Sequence, residues 1–181
     1  MVHPNTERLT EYWRGRAGPG GAPRRADIDP MAFHPLLPQT FVVGRSAGGT
    51  FPFRLVGGLV ADLHRADLRG RCLLELWRPA DRWPLKSALD IARRRAEAVV
   101  LAADLVADGV PAVGLEMLLA PMTGPGGEVD RFLGLYQPTA PLARLMGRPV
   151  RTLALTAVVS ADGGGAAPAL RLAAVDGRRI A

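Results

Sequence analysis

Residues 98–136 read AVVLAADLVADGVPAVGLEMLLAPMTGPGGEVDRFLGLY, three apolar runs divided by two clusters of turn residues. The runs, Ala98 to Val106, Val113 to Ala120 and Val129 to Tyr136, are rich in valine and leucine and too short for three packed helices. Asp108-Gly109 between apolar runs is a strong two-residue hairpin signal, because both positions must take positive φ. Thr123-Gly124-Pro125-Gly126-Gly127 is a second, longer turn. Two successive hairpins make three adjacent strands, so an antiparallel sheet is the expected frame.

The longest helix is expected just upstream. Leu85, Ala88, Leu89 and Ala92 follow the i, i+3, i+4, i+7 rule and give one buried stripe. Asp81 is placed to cap this helix, and Pro84 falls in the first turn, where a missing N–H is harmless. Lys86 with Asp90, and Asp90 with Arg94, are i, i+4 pairs on the outer side. Arg93-Arg94-Arg95 falls at the helix end, where cations complement the macrodipole.

Further upstream, Thr40 to Val43 and Phe51 to Val56 form a hairpin around Ser46-Ala47-Gly48-Gly49. Short helical stretches follow, one through Leu59 and Leu63 and another from Leu73 to Trp77. At the start, Asn5 or Thr6 caps a helix whose Leu9, Tyr12, Trp13 and Arg16 share a face. A Gly/Pro stretch from Ala17 to Pro23 breaks it, and Asp29-Pro30 opens another short helix, limited by Pro35 and Pro38. Asp27 and Asp29 read as caps and partners of Arg24 or Arg25 rather than paired catalytic carboxylates. Beyond Pro138, Leu142, Leu145 and Met146 suggest one helical turn, and Thr152 to Val159 looks extended. Gly163-Gly164-Gly165 breaks the chain before a further extended stretch, Leu170 to Val175. This divides the chain into an N-terminal helical extension (1–38), a core (39–138) and a C-terminal helical turn with an extended tail (139–181).

Composition excludes several classes. No apolar run reaches the roughly 18 residues of a membrane span. The start lacks a hydrophobic block followed by a cleavage site, so a cytoplasmic location and no membrane partner are expected. Cys72 is the sole cysteine, which rules out an intrachain disulfide. The net charge of +6 is carried by arginines scattered from Arg8 to Arg179 with one lysine, Lys86. A nucleic-acid binder concentrates charge on a stripe with interleaved aromatics or a reading helix, so no nucleic-acid partner is expected.

Catalytic groups are scarce. His3, His34 and His64, Ser46, Ser87 and Ser160, and Cys72 are all that a triad or metal site could draw on. No nucleophile elbow, zinc-binding His pair or P-loop is present. An enzyme is not expected; a carboxylate-only site ranks behind the binding readings. His64 near a helix end and His34 between Phe33 and Pro35 read as structural rather than as haem or metal ligands.

The element order from Gln39 to Tyr136 matches that of a PAS domain. Tyr12-Trp13, Arg25-Ala26-Asp27-Ile28-Asp29-Pro30, Leu36-Leu37-Pro38, Phe53-Arg54-Leu55-Val56-Gly57 and Asp67-Leu68-Arg69-Gly70 resemble, in order and spacing, a family of small single-domain bacterial PAS-like proteins. Val175-Asp176-Gly177-Arg178-Arg179 is similar to that family's closing segment. Gly58 departs from the pattern, which has threonine there, and so removes a hydroxyl contact. The resemblance implies an α+β fold, a five-stranded antiparallel sheet with helices on one face. It also implies a sensory module that binds a small ligand between sheet and helices or docks other proteins, and it names no cofactor. Around Cys72, the match to the flavin-binding segment of the light-sensing PAS subgroup fails. Arg71 precedes the cysteine and Leu73 follows it, where that motif has asparagine and arginine.

Val43, Leu55, Leu59, Leu63, Leu73, Trp77, Leu85, Leu89, Leu118 and Leu133 are the residues expected between sheet and helices, lining a small apolar ligand site or filling a solid core. Leu9, Tyr12 and Trp13 form a stripe that covers either the chain's own sheet or a second subunit of a homodimer. Arg54 is expected on the sheet's outer face or reaching toward Asp27 or Asp29. The favoured function is a non-catalytic signalling module that acts through contacts with a partner protein. A dedicated small-molecule or cofactor sensor with an apolar pocket is the alternative.

Overall fold

The computed structural model describes residues 2–18 and 21–160, without the side chain of Ser160. Gly163-Gly164-Gly165, Leu170 to Val175 and the Val175–Arg179 segment lie outside the described residues. The order is α1 (Pro4–Arg16), β1 (Thr40–Gly44), β2 (Phe53–Val56), α2 (Gly58–His64), α3 (Arg82–Arg95), β3 (Val99–Ala107), β4 (Val110–Thr123), β5 (Val129–Pro138) and β6 (Thr152–Ser160), with short 3-10 segments between. All pairings are antiparallel, in the order β2-β1-β5-β4-β3-β6. The Asp108-Gly109 hairpin forms as read, with φ of 50° and 80°.

The sheet has six strands rather than five, because the stretch from Thr152 pairs along β3 from Val106↔Thr152 to Val99↔Ser160. To reach that edge, residues 139–151 cross the end of the helical face and bury Leu145 and Val150 there. The helices of the core lie on one face, as expected, and the N-terminal extension takes the other. α2, α3 and the 3-10 turns of residues 73–81 cover one side, whereas α1 and the 3-10 segment Pro30–Gln39 cover the other. The reason is visible in the register. Phe41, Leu119 and Val99 point to the first face, while Val42, Leu118 and Val100, one residue along each strand, point to the second. Met117 to Met122 is buried on both faces, so an antiparallel strand here carries the near-continuous apolar run of a doubly covered one.

Local expectations shift where tertiary partners compete. His3, rather than Asn5 or Thr6, caps α1: its Nδ1 accepts the Asn5 N–H at 3.1 Å. Asp81 makes no side-chain cap to α3; its Oδ2 accepts the Leu155 N–H of β6 at 3.0 Å. Asp29 does cap its 3-10 segment, and Asp27 pairs with Arg24. Arg54 lies across Gly44 on the outer side of the β1–β2 pair. Gly134 sits directly beneath the Phe41 ring, and a Cβ there would overlap it.

Two substitutions compare a buried and an exposed position on the second face. Leu9→Ala, which empties a fully buried position under α1, is expected to cost about 3 kcal/mol in urea unfolding. Leu55→Ala, at a side chain 47% exposed, should cost at most about 0.5 kcal/mol. Comparable losses at the two sites would mean that α1 does not pack on the sheet.

Candidate functional site

Between the sheet and α2–α3 lies an aromatic core: Phe41, Phe51, Phe53, Phe132, Tyr136 and Trp77 are each at most 2% exposed. Phe41 meets Phe53, and Phe51 meets Phe132, edge to face at centroid separations of 5.4 and 6.1 Å. Phe41, Phe53, Phe132 and Tyr136 come from β1, β2 and β5 and are aligned by the strand register. Phe51 sits in the loop before β2, where its carbonyl accepts the Leu73 N–H, and Trp77 is held from the helical side by a bridge to Leu153 of β6.

Of the residues expected here, Val43, Leu73, Trp77, Leu85 and Leu89 belong to this core, each fully buried. Leu63 is half-buried against it, and Leu59 is half-buried on α2. The other three are placed elsewhere. Leu118 and Leu133 lie on the second face beneath α1, and Leu55, opposite Val42 on that same face, is largely exposed. A one-residue step along a strand reverses the side, and the sequence alone does not say which parity faces the helices. Leu9 and Trp13 are buried in the second core, where the indole Nε1–H donates to the Pro121 carbonyl at 2.7 Å. Tyr12 is half-buried, its ring 5.2 Å from Phe33 and its hydroxyl bonded to the backbone of Asp29. The stripe therefore covers the chain's own sheet.

Polar groups in the helical-side core were missed by sequence reasoning. His64, the last residue of α2, is 5% exposed, and its Nε2 lies 3.0 Å from the Tyr136 hydroxyl of β5. The rings meet edge to face at 5.8 Å. Arg65, in the left-handed conformation, ends the helix and donates to the Gly147 carbonyl, while Val150 N–H donates to Leu63 O. The 139–151 crossover is thus tied down directly over the pair. Burial first, and the Arg71 charge after it, lower the His64 pKa from 6.5 to about 4, against a backbone hydrogen bond with Val150. The imidazole is therefore neutral at pH 7, and burial raises the Tyr136 phenol so that it stays protonated. A neutral hydroxyl–imidazole pair satisfies both groups without placing a charge in the core.

The Trp77 indole N–H, by contrast, is buried with no hydrogen-bond partner among the described residues. Cys72 is half-buried and its Sγ accepts the Phe51 N–H at 3.5 Å. No three His, Cys, Asp or Glu side chains among the described residues are grouped to hold a metal ion. No described helix is long and apolar enough to cross a membrane. Two concavities open to solvent, one beside α2 between Asp62 and Arg69, the other between Arg24–Ala26 and the turn at residues 124–127. Neither is lined by the residues expected to hold a ligand.

A family model described as "PAS domain" matches residues 1–137. Among solved structures, the chain is similar to a Rhodobacter sphaeroides LOV protein, at 15% identity and a TM-score of 0.46, over 65% of this chain and 72% of that one. It is also similar to an RNA-binding light-oxygen-voltage receptor, at 16% identity and a TM-score of 0.45, over 65% of this chain and 33% of the receptor's. No curated protein matches the chain.

The His64 assignment has a pH signature. The unfolded chain takes up a proton near pH 6.5 and the folded chain only near 4, so between these values the unfolded state holds more protons. Stability should fall as pH drops from 6.5, flattening near 4, by about 3 kcal/mol in all. His64→Gln should abolish that component; identical pH profiles of the urea midpoint in both proteins would show that His64 is not the titrating group.

Proposed function

The chain belongs to the PAS domain family, and from that premise we propose that it is a non-catalytic, cytoplasmic signalling module whose output passes through contacts with a partner protein. The observation that supports this reading is the state of the helical-side core. Its aromatic rings and leucines are within 3% of complete burial and pack on one another, and the 139–151 crossover closes the end where the chain would otherwise open. A core filled by its own side chains leaves the surface as the place where the molecule meets other molecules. The stripe on α1 is already engaged with the chain's own sheet, so a homodimer formed through Leu9 and Trp13 would require α1 to leave it.

One observation favours the second reading, a small-molecule sensor. The unpartnered Trp77 N–H is a donor held in an apolar core, and a ligand with a carbonyl or ether oxygen would satisfy it. Because that core is closed by its own side chains, some of them would have to move to admit one.

Native mass spectrometry with an absorbance spectrum of the freshly purified protein separates the two. The signalling reading expects the polypeptide mass alone and no absorption band beyond the tryptophan envelope. A bound mass that disappears in Trp77→Phe would overturn it in favour of the ligand sensor.

A further inference from the structure

α3 turns Leu85, Leu89 and Ala92 onto the sheet, so Trp83, Ser87 and Ile91, one turn apart, point away from it. Trp83 is 76% exposed and Ile91 40% exposed. They are eight residues apart, about 12 Å along the axis. Trp13 and Trp77 are 3% and 0% exposed, so the chain buries this side chain everywhere else. An exposed tryptophan on a rigid helix is the kind of anchor that carries binding energy when a partner desolvates it.

The charge around the anchor is one-sided. α3 carries five basic residues and one acid. That acid, Asp90, is matched by Lys86 at 2.8 Å, which leaves Arg82, Arg93, Arg94 and Arg95 in excess. Arg95 has a single long contact, 3.9 Å to Glu97. Arg45, from the β1–β2 loop, adds a further positive charge near Asp90.

We propose that the outer face of α3 is a docking surface for an acidic, amphipathic segment of a partner protein. Trp83 and Ile91 receive its apolar side, and Arg82 and Arg94 meet its carboxylates. This rests on the reading of the chain as a module that signals through protein contacts. Three other occupants fit less well. A second copy related by a two-fold axis would bring the same arginines face to face. An anionic bilayer needs a continuous apolar stripe, and here Ser87 and the Asp90 carboxylate interrupt it. Nucleic acid would use the arginines but gives Ile91 no partner and sets phosphates against Asp90.

The test places p-benzoylphenylalanine in the full-length chain at position 83 or 91, and at the exposed control positions 31 and 110 elsewhere on the surface. The cells are irradiated and the adducts sequenced. The expected adduct from positions 83 and 91 is one segment rich in Asp and Glu. A synthetic peptide of that segment should bind the purified protein, with Trp83→Ala weakening it roughly 30-fold and Arg94→Glu roughly 10-fold at unchanged melting temperature. Adducts with lipid, nucleic acid, a second copy or a neutral or basic segment overturn the proposal, as does peptide affinity indifferent to Trp83→Ala. Crosslinks at 31 or 110 with none at 83 or 91 sink the α3 surface alone. Silence at every position sinks the protein-contact reading with it.

Discussion

The central pair of strands, β4 and β5, presents apolar side chains on both faces, and water must be kept from both at once. Leu119, Met117 and Tyr136 need cover on one side, Leu118, Ala120 and Leu135 on the other. At roughly 25 cal/mol per Å² of apolar surface, leaving either face wet would cost more than a domain of this size can lose. α2 and α3 answer the first demand and α1 with the Pro30–Gln39 segment the second. The charged helix α1 is thus fixed by four buried residues, Thr6, Leu9, Thr10 and Trp13, and by the Trp13 hydrogen bond to Pro121.

The same logic governs the ends of the sheet. Both edge strands would offer open backbone groups to another chain. At β2, the segment around Gly70 supplies them with partners, Gly70 N–H to Phe53 O and Phe53 N–H to Arg71 O. At β6, Arg78 N–H bonds Leu153 O and the Asp81 carboxylate takes the Leu155 N–H. The helical connection between β2 and α3 therefore guards both edges of the sheet it covers. Asp81 is drawn away from capping α3 because an unpaired strand N–H beside it is the more demanding donor.

The molecule divides into a tight interior and a differentiated surface. The interior holds its polar groups neutral: His64 and Tyr136 satisfy each other beneath the crossover. The surface is where charge is uneven, with arginines gathered along α3 around an exposed tryptophan. Leu85 and Leu89 of α3 are buried in the same core as Phe132 and Tyr136 of β5.

Much of the fold was legible locally. Asp108-Gly109 demanded a hairpin, the Leu85–Ala92 stripe demanded a helix, and Asp29-Pro30 demanded a helical start, because each signal is complete within a few residues. The motif order along the chain also carried the family. What the sequence left open was which side each strand turns toward the helices. Leu118 and Leu133 differ from their buried neighbours by one residue of register, and nothing in their own identity says which face is which. The unbroken apolar run of Met117 to Met122 was the available sign that both faces are covered. The sixth strand, the meeting of His64 with Tyr136 and the partner of Asp81 join residues 72 or more positions apart or depend on which strands lie side by side. Local chemistry determined the elements; only tertiary structure, by choosing neighbours for them, decided which side chains are core, which are paired and which are left facing outward.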